Sequence, residues 1–305
     1  MYKHEFAGSV KAMARQLSIA VDQSVYDPNV KPTQQALAQI EQAGAAGADL
    51  LLLKELHNGP YFCQRQSTAE FDRATVLDQA NLQLLCDAAR KANVVVVSSL
   101  FERRQSGLYH NTAVVIDRDG SVAGKYRKMH IPDDPGYHEK FYFTPGDTGF
   151  RPIDTSIGRL GVLICWDQWF PEAARLMALA GAEVLLYPTA IGYDPVDPED
   201  EQSRQLQAWQ TVQRGHAVAN GLPIAVANRC GFEQDPGGSS GIEFWGHSFV
   251  CGPQGEFLAH AEHNKPELLL AQIDLERSES VRRIWPFLRD RRIDQYGDLL
   301  KRSID

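Results

Sequence analysis

Gly161-Val162-Leu163-Ile164-Cys165-Trp166-Asp167-Gln168-Trp169-Phe170-Pro171-Glu172 joins an apolar run of strand length to a helix start, with a cysteine at the junction. The run predicts a strand over Leu160 to Ile164, and Pro171 in a first turn predicts a helix reaching Ala180. A strand that ends in a tight turn exposes the next side chain at the rim of a sheet, facing the crevice where open α/β sheets bind ligands. The helix that follows offers unpaired N–H groups to a negative charge, so a thiolate at Cys165 would be stabilised. The segment therefore indicates a nucleophile, an oxyanion site and an α/β fold class. Cys63, Cys86, Cys230 and Cys251 have no comparable context and read as structural, although Cys63, in a Tyr-Phe-Cys-Gln loop, could line a pocket. No pair has Cys-x-x-Cys spacing and five is an odd number, so neither a zinc site nor a disulfide framework is indicated, and a reducing compartment is expected.

Outward from this segment the pattern alternates between strands and helices. Leu17 to Val21 reads as a strand, Lys31 to Ala46 as a helix with Pro32 near its start, and Asp49 to Leu53 as a continuous apolar strand buried on both faces. Val76 to Ala92 is a second amphipathic helix and Val94 to Ser98 a β-branched strand. Thr112 to Ile116 and Val122 to Lys125 flank Asp117-Arg118-Asp119-Gly120, a hairpin with Asp-Gly turn chemistry. Beyond Cys165, strands are expected at Glu183 to Tyr187, Ile224 to Ala227, Ser248 to Cys251 and Leu268 to Ile273, with a helix over Ser203 to Ala219 and a hairpin turn at Pro253 to Glu256. Mixed sheets covered by helices follow from this order. The Gly/Pro-rich segments 131–149, 188–202 and 231–241 read as loops built after strands, where an α/β active site forms. The chain is expected to form one domain over 16–305, with an irregular leader at 1–15 and a C-terminal arm from about 275 to 305.

A chain of 305 residues, 43% hydrophobic and 23% charged, is long enough to bury a large core. Its net charge of -8 argues against a nucleic-acid partner and is compatible with a cationic substrate. No run approaches the length of a membrane span, and no signal peptide is evident, so no membrane partner is expected and the cytoplasm is the expected compartment.

Two other residues lie just beyond strand ends. Glu55 follows the Leu50–Leu53 run after Lys54, and Lys128 follows Lys125-Tyr126-Arg127. Acyl transfer needs a nucleophile, a base for its proton, and positive groups for the developing oxyanion. Cysteine, glutamate and lysine can supply these in turn. Leu-Lys-Glu-Leu at 53–56, Lys-Tyr-Arg-Lys-Met-His-Ile-Pro at 125–132 and Cys-Trp-Asp-Gln-Trp-Phe-Pro-Glu at 165–172 resemble, in order, the three catalytic segments of the nitrilase superfamily of carbon–nitrogen hydrolases. The resemblance spans roughly residues 17 to 290. It implies a four-layer α-β-β-α sandwich of two mixed sheets, with Cys165 as nucleophile, Glu55 as general base and Lys128 as oxyanion stabiliser. The backbone N–H of Trp166 would be the second oxyanion donor. Glu139, in His-Glu-Lys-Phe-Tyr at 138–142, would be a further active-site glutamate that holds Lys128 and accepts a hydrogen bond from the substrate nitrogen. The adjacent cation would lower the Cys165 pKa. No cofactor and no metal are called for, and His130, His138, His216 and His247 lack metal-ligand spacing. A homo-oligomer, at least a dimer, is also implied.

The loops after these segments resemble those of the superfamily branch that hydrolyses N-carbamoylputrescine, a small cationic ureide. A terminal ammonium needs a carboxylate and aromatic faces at the far end of a pocket. Asp194 is placed to be that carboxylate, with Tyr137 or Tyr193 as a lateral wall, although Asp194 could equally be a turn residue before Pro195. Members acting on carbamoyl amino acids would instead need an arginine for a substrate carboxylate, and Arg204 and Arg229 could supply one. An N-carbamoyl-β-alanine or ω-amide hydrolase, or a non-catalytic binding member, are the alternatives. The branch pattern is departed from at Lys54, His57 and Asp194, and the acidic run 197–201 reads as a solvated loop face.

Overall fold

The computed structural model describes residues 15–304 apart from 195, 236 and 239, so the leader expected at 1–15 lies outside the described residues except for Arg15. In chain order, the first half contains β1 (Gln16–Gln23), α1 (Pro32–Ala45), β2 (Leu50–Leu52), α2 (Gln79–Ala92), β3 (Val95–Gln105), β4 (Leu108–Ile116) and β5 (Val122–Arg127). A short helix, α3 (Glu139–Tyr142), leads to β6 (Ile153–Thr155), β7 (Gly158–Val162), α4 (Pro171–Leu179), β8 (Val184–Pro188), β9 (Gly192–Tyr193) and α5 (Glu199–Asn220). The chain then forms β10 (Ile224–Ala227), β11 (Cys230–Gln234), β12 (Gly241–Trp245), β13 (Phe249–Cys251), β14 (Phe257–His260), β15 (Glu267–Asp274) and α6 (Leu275–Ile284).

Two six-stranded mixed sheets result, ordered β15-β1-β2-β3-β4-β5 and β14-β13-β10-β8-β7-β6. The central strands β1, β2 and β3 run parallel, as do β7, β8 and β10, and the flanking strands are antiparallel. Side-chain alternation explains why the Leu50–Leu53 run is apolar throughout. Leu50 and Leu52 join Ile19, Val21, Val95 and Val97 in the core between the sheets, where they meet Leu160, Val162 and Ala225. Leu51 points the other way, with Ala20, Val96 and Val114, against Ile40 of α1 and Leu82, Leu85 and Ala89 of α2. Helices α4 and α5 cover the outer face of the second sheet. The expected α-β-β-α sandwich is thus observed.

Several boundaries differ from the expectations for physical reasons. Asp78 caps α2 by accepting from Asn81 N–H at 2.9 Å, which places the helix start at Gln79 rather than Val76. The acidic run taken as a loop face forms the start of α5, with Glu199, Asp200 and Glu201 in the first turn, where carboxylates complement the helix dipole. The segment 231–241, expected as a loop, contains most of β11 and the start of β12, which form a separate three-stranded sheet ordered β11-β12-β9. The span expected as an arm from about 275 opens with α6, which is docked: Leu275, Ser278 and Val281 are buried and the Arg282 guanidinium donates to Asn220 O. Beyond it, Trp285, Phe287, Ile293 and Leu300 are exposed. No helix among the described residues is long and apolar enough to cross a membrane.

Candidate active site

Three strand ends deliver the expected residues to one place. Lys128 directly follows β5, and its N–H donates to Asn111 O at 2.9 Å. Glu55 and Cys165 each come three residues after their strands, β2 and β7. Cys165 has φ +43, a left-handed conformation that costs a non-glycine residue of order 1–2 kcal/mol and is typical of strained functional turns. The turn is held by Asp167, whose carboxylate is fully buried. It accepts from Ile164 N–H at 2.9 Å, Tyr126 OH at 2.8 Å and His130 N–H at 3.0 Å, with the His130 ring 2.7 Å away. One carboxylate thereby ties the cysteine turn to both sides of Lys128.

Lys128 Nζ donates to Glu55 Oε1 at 2.8 Å and to Glu139 Oε2 at 2.6 Å, and all three side chains are fully buried. Asn111 Nδ2 also donates to Glu55 Oε1 at 2.7 Å, and Tyr61 OH to Glu139 Oε1 at 2.7 Å. Glu55 Oε2 is buried with no protein partner. One oxygen of this carboxylate is therefore fixed while the other stays free to accept a proton. Burial pulls the Lys128 pKa down, but Glu139 and Glu55 outweigh it and hold the ammonium well above its ordinary range. Burial raises Glu139 to about 7, with Lys128 opposing.

Cys165 Sγ lies 3.6 Å from Ala190 O and only 4% of the residue is exposed. Its thiol is raised well above the ordinary value by burial first, then by Glu55, with Lys128 opposing. This corrects the expectation of a depressed thiol pKa. One ammonium shared between two carboxylates leaves no surplus positive charge for a thiolate.

A cavity of about 360 Å³ opens above Cys165, within the range of small-molecule sites. Tyr137, Asp194, Glu139 and Trp166 line it, together with Trp169 and Trp245. Tyr137 OH accepts from Gly192 N–H at 2.8 Å. Asp194 also closes a turn, its Oδ1 accepting from Val196 N–H at 3.0 Å. Tyr193 is not brought to the cavity. Strand alternation puts Gly192 on the cavity side and turns the Tyr193 ring onto Trp245 and His263.

Neither arginine considered for a substrate carboxylate is available. Arg229 is fully buried and pairs with Glu233 at 2.6 Å, while Arg204 lies exposed on α5 and pairs with Asp200 and Glu201. Among the described residues lining the cavity, the charged ones are Asp134, Glu139, Asp194 and Asp197, all acidic. Asn111, Tyr61, Asp167 and Trp245 were not singled out from the sequence. Asp167 had a local signal, a capping residue two positions past the cysteine, whereas Asn111 and Tyr61 reach the site only through strand register and loop packing.

The fold, the elbow cysteine and the buried Glu–Lys–Glu array define a carbon–nitrogen hydrolase: residues 11–283 match the family of that description, and the chain belongs to it. Among its relatives, the N-carbamoylputrescine amidase of Solanum tuberosum is 46% identical over 264 residues, which cover 86% of this chain and 87% of that protein. The citrullinase of Francisella tularensis is 40% identical over 288 residues, covering 94% and 99% respectively. The crystal structure of a carbon–nitrogen hydrolase from Helicobacter pylori G27 matches 95% of this chain and 100% of that one with a TM-score of 0.91 at 54% identity.

Proposed function

We propose that this enzyme hydrolyses N-carbamoylputrescine to putrescine, carbon dioxide and ammonia. The observation that carries this reading is the cavity above Cys165, whose charged lining residues, among those described, are all acidic and which also presents the rings of Tyr137, Trp166, Trp169 and Trp245. Such a cavity suits a cationic chain and, among the described lining residues, offers no cationic side chain to a substrate carboxylate. The relatives named N-carbamoylputrescine amidase support the same choice.

The chemistry proceeds through a covalent thioester. Glu55 Oε2 takes the Cys165 proton as sulfur attacks the carbamoyl carbon. Charge developing on the carbonyl oxygen is held by the Lys128 ammonium and the Trp166 N–H. Glu139 holds Lys128 and accepts a hydrogen bond from the substrate nitrogen. Glu55 returns the proton to the departing nitrogen as the C–N bond breaks. Water, deprotonated by Glu55, then attacks this S-carbamoyl thioester, and the sulfur leaves and takes that proton back from Glu55 as the thiol. The carbamic acid released breaks its remaining C–N bond to give carbon dioxide and the second amine. One water is consumed for each ureide cleaved. A raised, neutral Cys165 thiol suits this order, because its proton moves only when a carbonyl is there to be attacked.

Ammonia release should be measured with N-carbamoylputrescine, citrulline, N-carbamoyl-β-alanine and an ω-amide, using wild type and Cys165→Ala. The expected result is highest kcat/KM on N-carbamoylputrescine and no turnover by Cys165→Ala. Preference for an anionic or zwitterionic ureide would overturn the substrate, and activity retained by Cys165→Ala would overturn the mechanism.

A further inference from the structure

The Arg229–Glu233 pair lies outside the reacting groups, yet it is wired to both glutamates around Lys128. Arg229 sits between β10 and β11 and is fully buried. Its Nη1 donates to Glu233 Oε1 at 2.6 Å. Its Nη2 faces three carbonyl oxygens of the loop that carries the candidate base: Glu55 O at 3.1 Å, Leu56 O at 2.7 Å and Gly59 O at 3.0 Å. In an extended strand consecutive carbonyls point to opposite sides. Those of Glu55 and Leu56 converge on one nitrogen because Leu56 is left-handed, with φ +48. A leucine persists in that conformation only where its surroundings enforce it. Arg229 supplies the enforcement on one side. On the other, Leu56 N–H donates to Ser99 Oγ at 3.1 Å, which is hydrogen-bonded to Asn111, the residue that fixes Glu55 Oε1.

The second arm of the pair reaches the other glutamate. Glu233 Oε2 accepts from Tyr61 N–H at 2.7 Å, and Tyr61 OH donates to Glu139 Oε1 at 2.7 Å. Glu233 belongs to β11, which pairs with β12, and β12 ends at Trp245 in the cavity wall. The guanidinium also lies 5.8 Å from the Phe244 ring centroid. A planar guanidinium with several donors can bridge a carboxylate and a row of carbonyls at once, whereas a lysine presents a point charge. Glu55 is thus set through its backbone and Glu139 through Tyr61, from one buried ion pair anchored in the sheet that shapes the cavity.

We infer that the Arg229–Glu233 pair is a positioning device that sets Glu55 and Glu139 against Lys128 and ties that geometry to the substrate-cavity wall. This inference rests on the Cys165–Glu55–Lys128 reading above. Misplacing a catalytic group by about 1 Å costs on the order of 100-fold in rate. In Arg229→Lys, kcat per titrated Cys165 should therefore fall about 100-fold with KM changed less than about threefold. The active-site count is the stoichiometry of iodoacetamide modification at Cys165 by mass spectrometry, and folding is followed by circular dichroism. The single variant leaves a mismatched buried cluster and could fail to fold, so Arg229→Met/Glu233→Leu, which removes both charges together, is the second arm. Removing both partners spares the cost of a lone buried charge, so the double variant should fold while kcat stays about 100-fold down. Wild-type kcat per titrated site in either folded variant would overturn the inference and reduce the pair to scaffold. Turnover by Cys165→Ala would instead overturn the underlying mechanism, so the two failures are distinguishable.

Discussion

Replacing Lys128 with methionine keeps an unbranched side chain and removes its charge, leaving Glu55 and Glu139 with no counter-ion between them. In the native site Nζ lies 2.8 Å from one carboxylate and 2.6 Å from the other, with no solvent reaching any of the three side chains. Deleting one partner of a buried ionic cluster costs about 3–5 kcal/mol. Two close carboxylates cannot both stay ionised without a cation, so one keeps a proton. In the wild type, burial against the pull of Lys128 already raises Glu139 from 4.5 to about 7. A carboxyl raised on folding contributes stability below its unfolded pKa and loses it as pH rises through the folded value. The wild-type contribution is therefore lost between 4.5 and about 7. Without Lys128 the folded-state pKa moves higher still, and the variant retains a proton that both the wild type and the unfolded chain have released. Each such proton lowers stability by about 1.4 kcal/mol per pH unit. The stability gap between wild type and Lys128→Met should thus widen above pH 7, by roughly 3 kcal/mol between pH 7 and 9. Urea unfolding at pH 6, 7, 8 and 9, followed by tryptophan fluorescence, measures the gap from the midpoints. A gap that stays constant across this range, or below about 1 kcal/mol throughout, would refute the assignment of Lys128 as the buried counter-charge.

Two further outcomes follow from the cavity and the thiol. Asp194→Asn should raise KM about tenfold for N-carbamoylputrescine, corresponding to about 1.4 kcal/mol, and leave KM for an uncharged ureide within about twofold. Equal shifts for both substrates would remove Asp194 from amine recognition. Because burial and Glu55 raise the Cys165 thiol, its alkylation by iodoacetamide should keep accelerating from pH 7 into the alkaline range. A rate plateau below pH 7 would show instead a thiolate already paired with Lys128.

The class of this protein and its central residues were legible because they obey local rules. A thiol that must stand at a sheet rim needs a strand, a turn and a helix in succession, and 161–172 writes these out in order. The Leu50–Leu53 run is apolar without interruption because β2 is covered on both faces, and Glu55 follows at its end. The acidic start of α5 was misread because the same residue types suit a solvated loop and a first helical turn, and only the chain path selects between them.

Read along the chain, Cys165, Glu55 and Lys128 stand out because each sits just beyond a strand end, while the sandwich and Glu139 come from the resemblance of the surrounding motifs to a known superfamily. The folded arrangement sets how their charges balance. Burial and then Glu55 raise the thiol, and Lys128, divided between two carboxylates, does not reverse this; that sum depends on distances between segments remote in sequence. It also decided that Arg229 faces backbone carbonyls and Glu233 rather than a ligand, and that Tyr193 turns away while Tyr137 and Asp194 line the cavity. Side-chain direction follows from strand register and loop closure, and these are set by partners that no local pattern names.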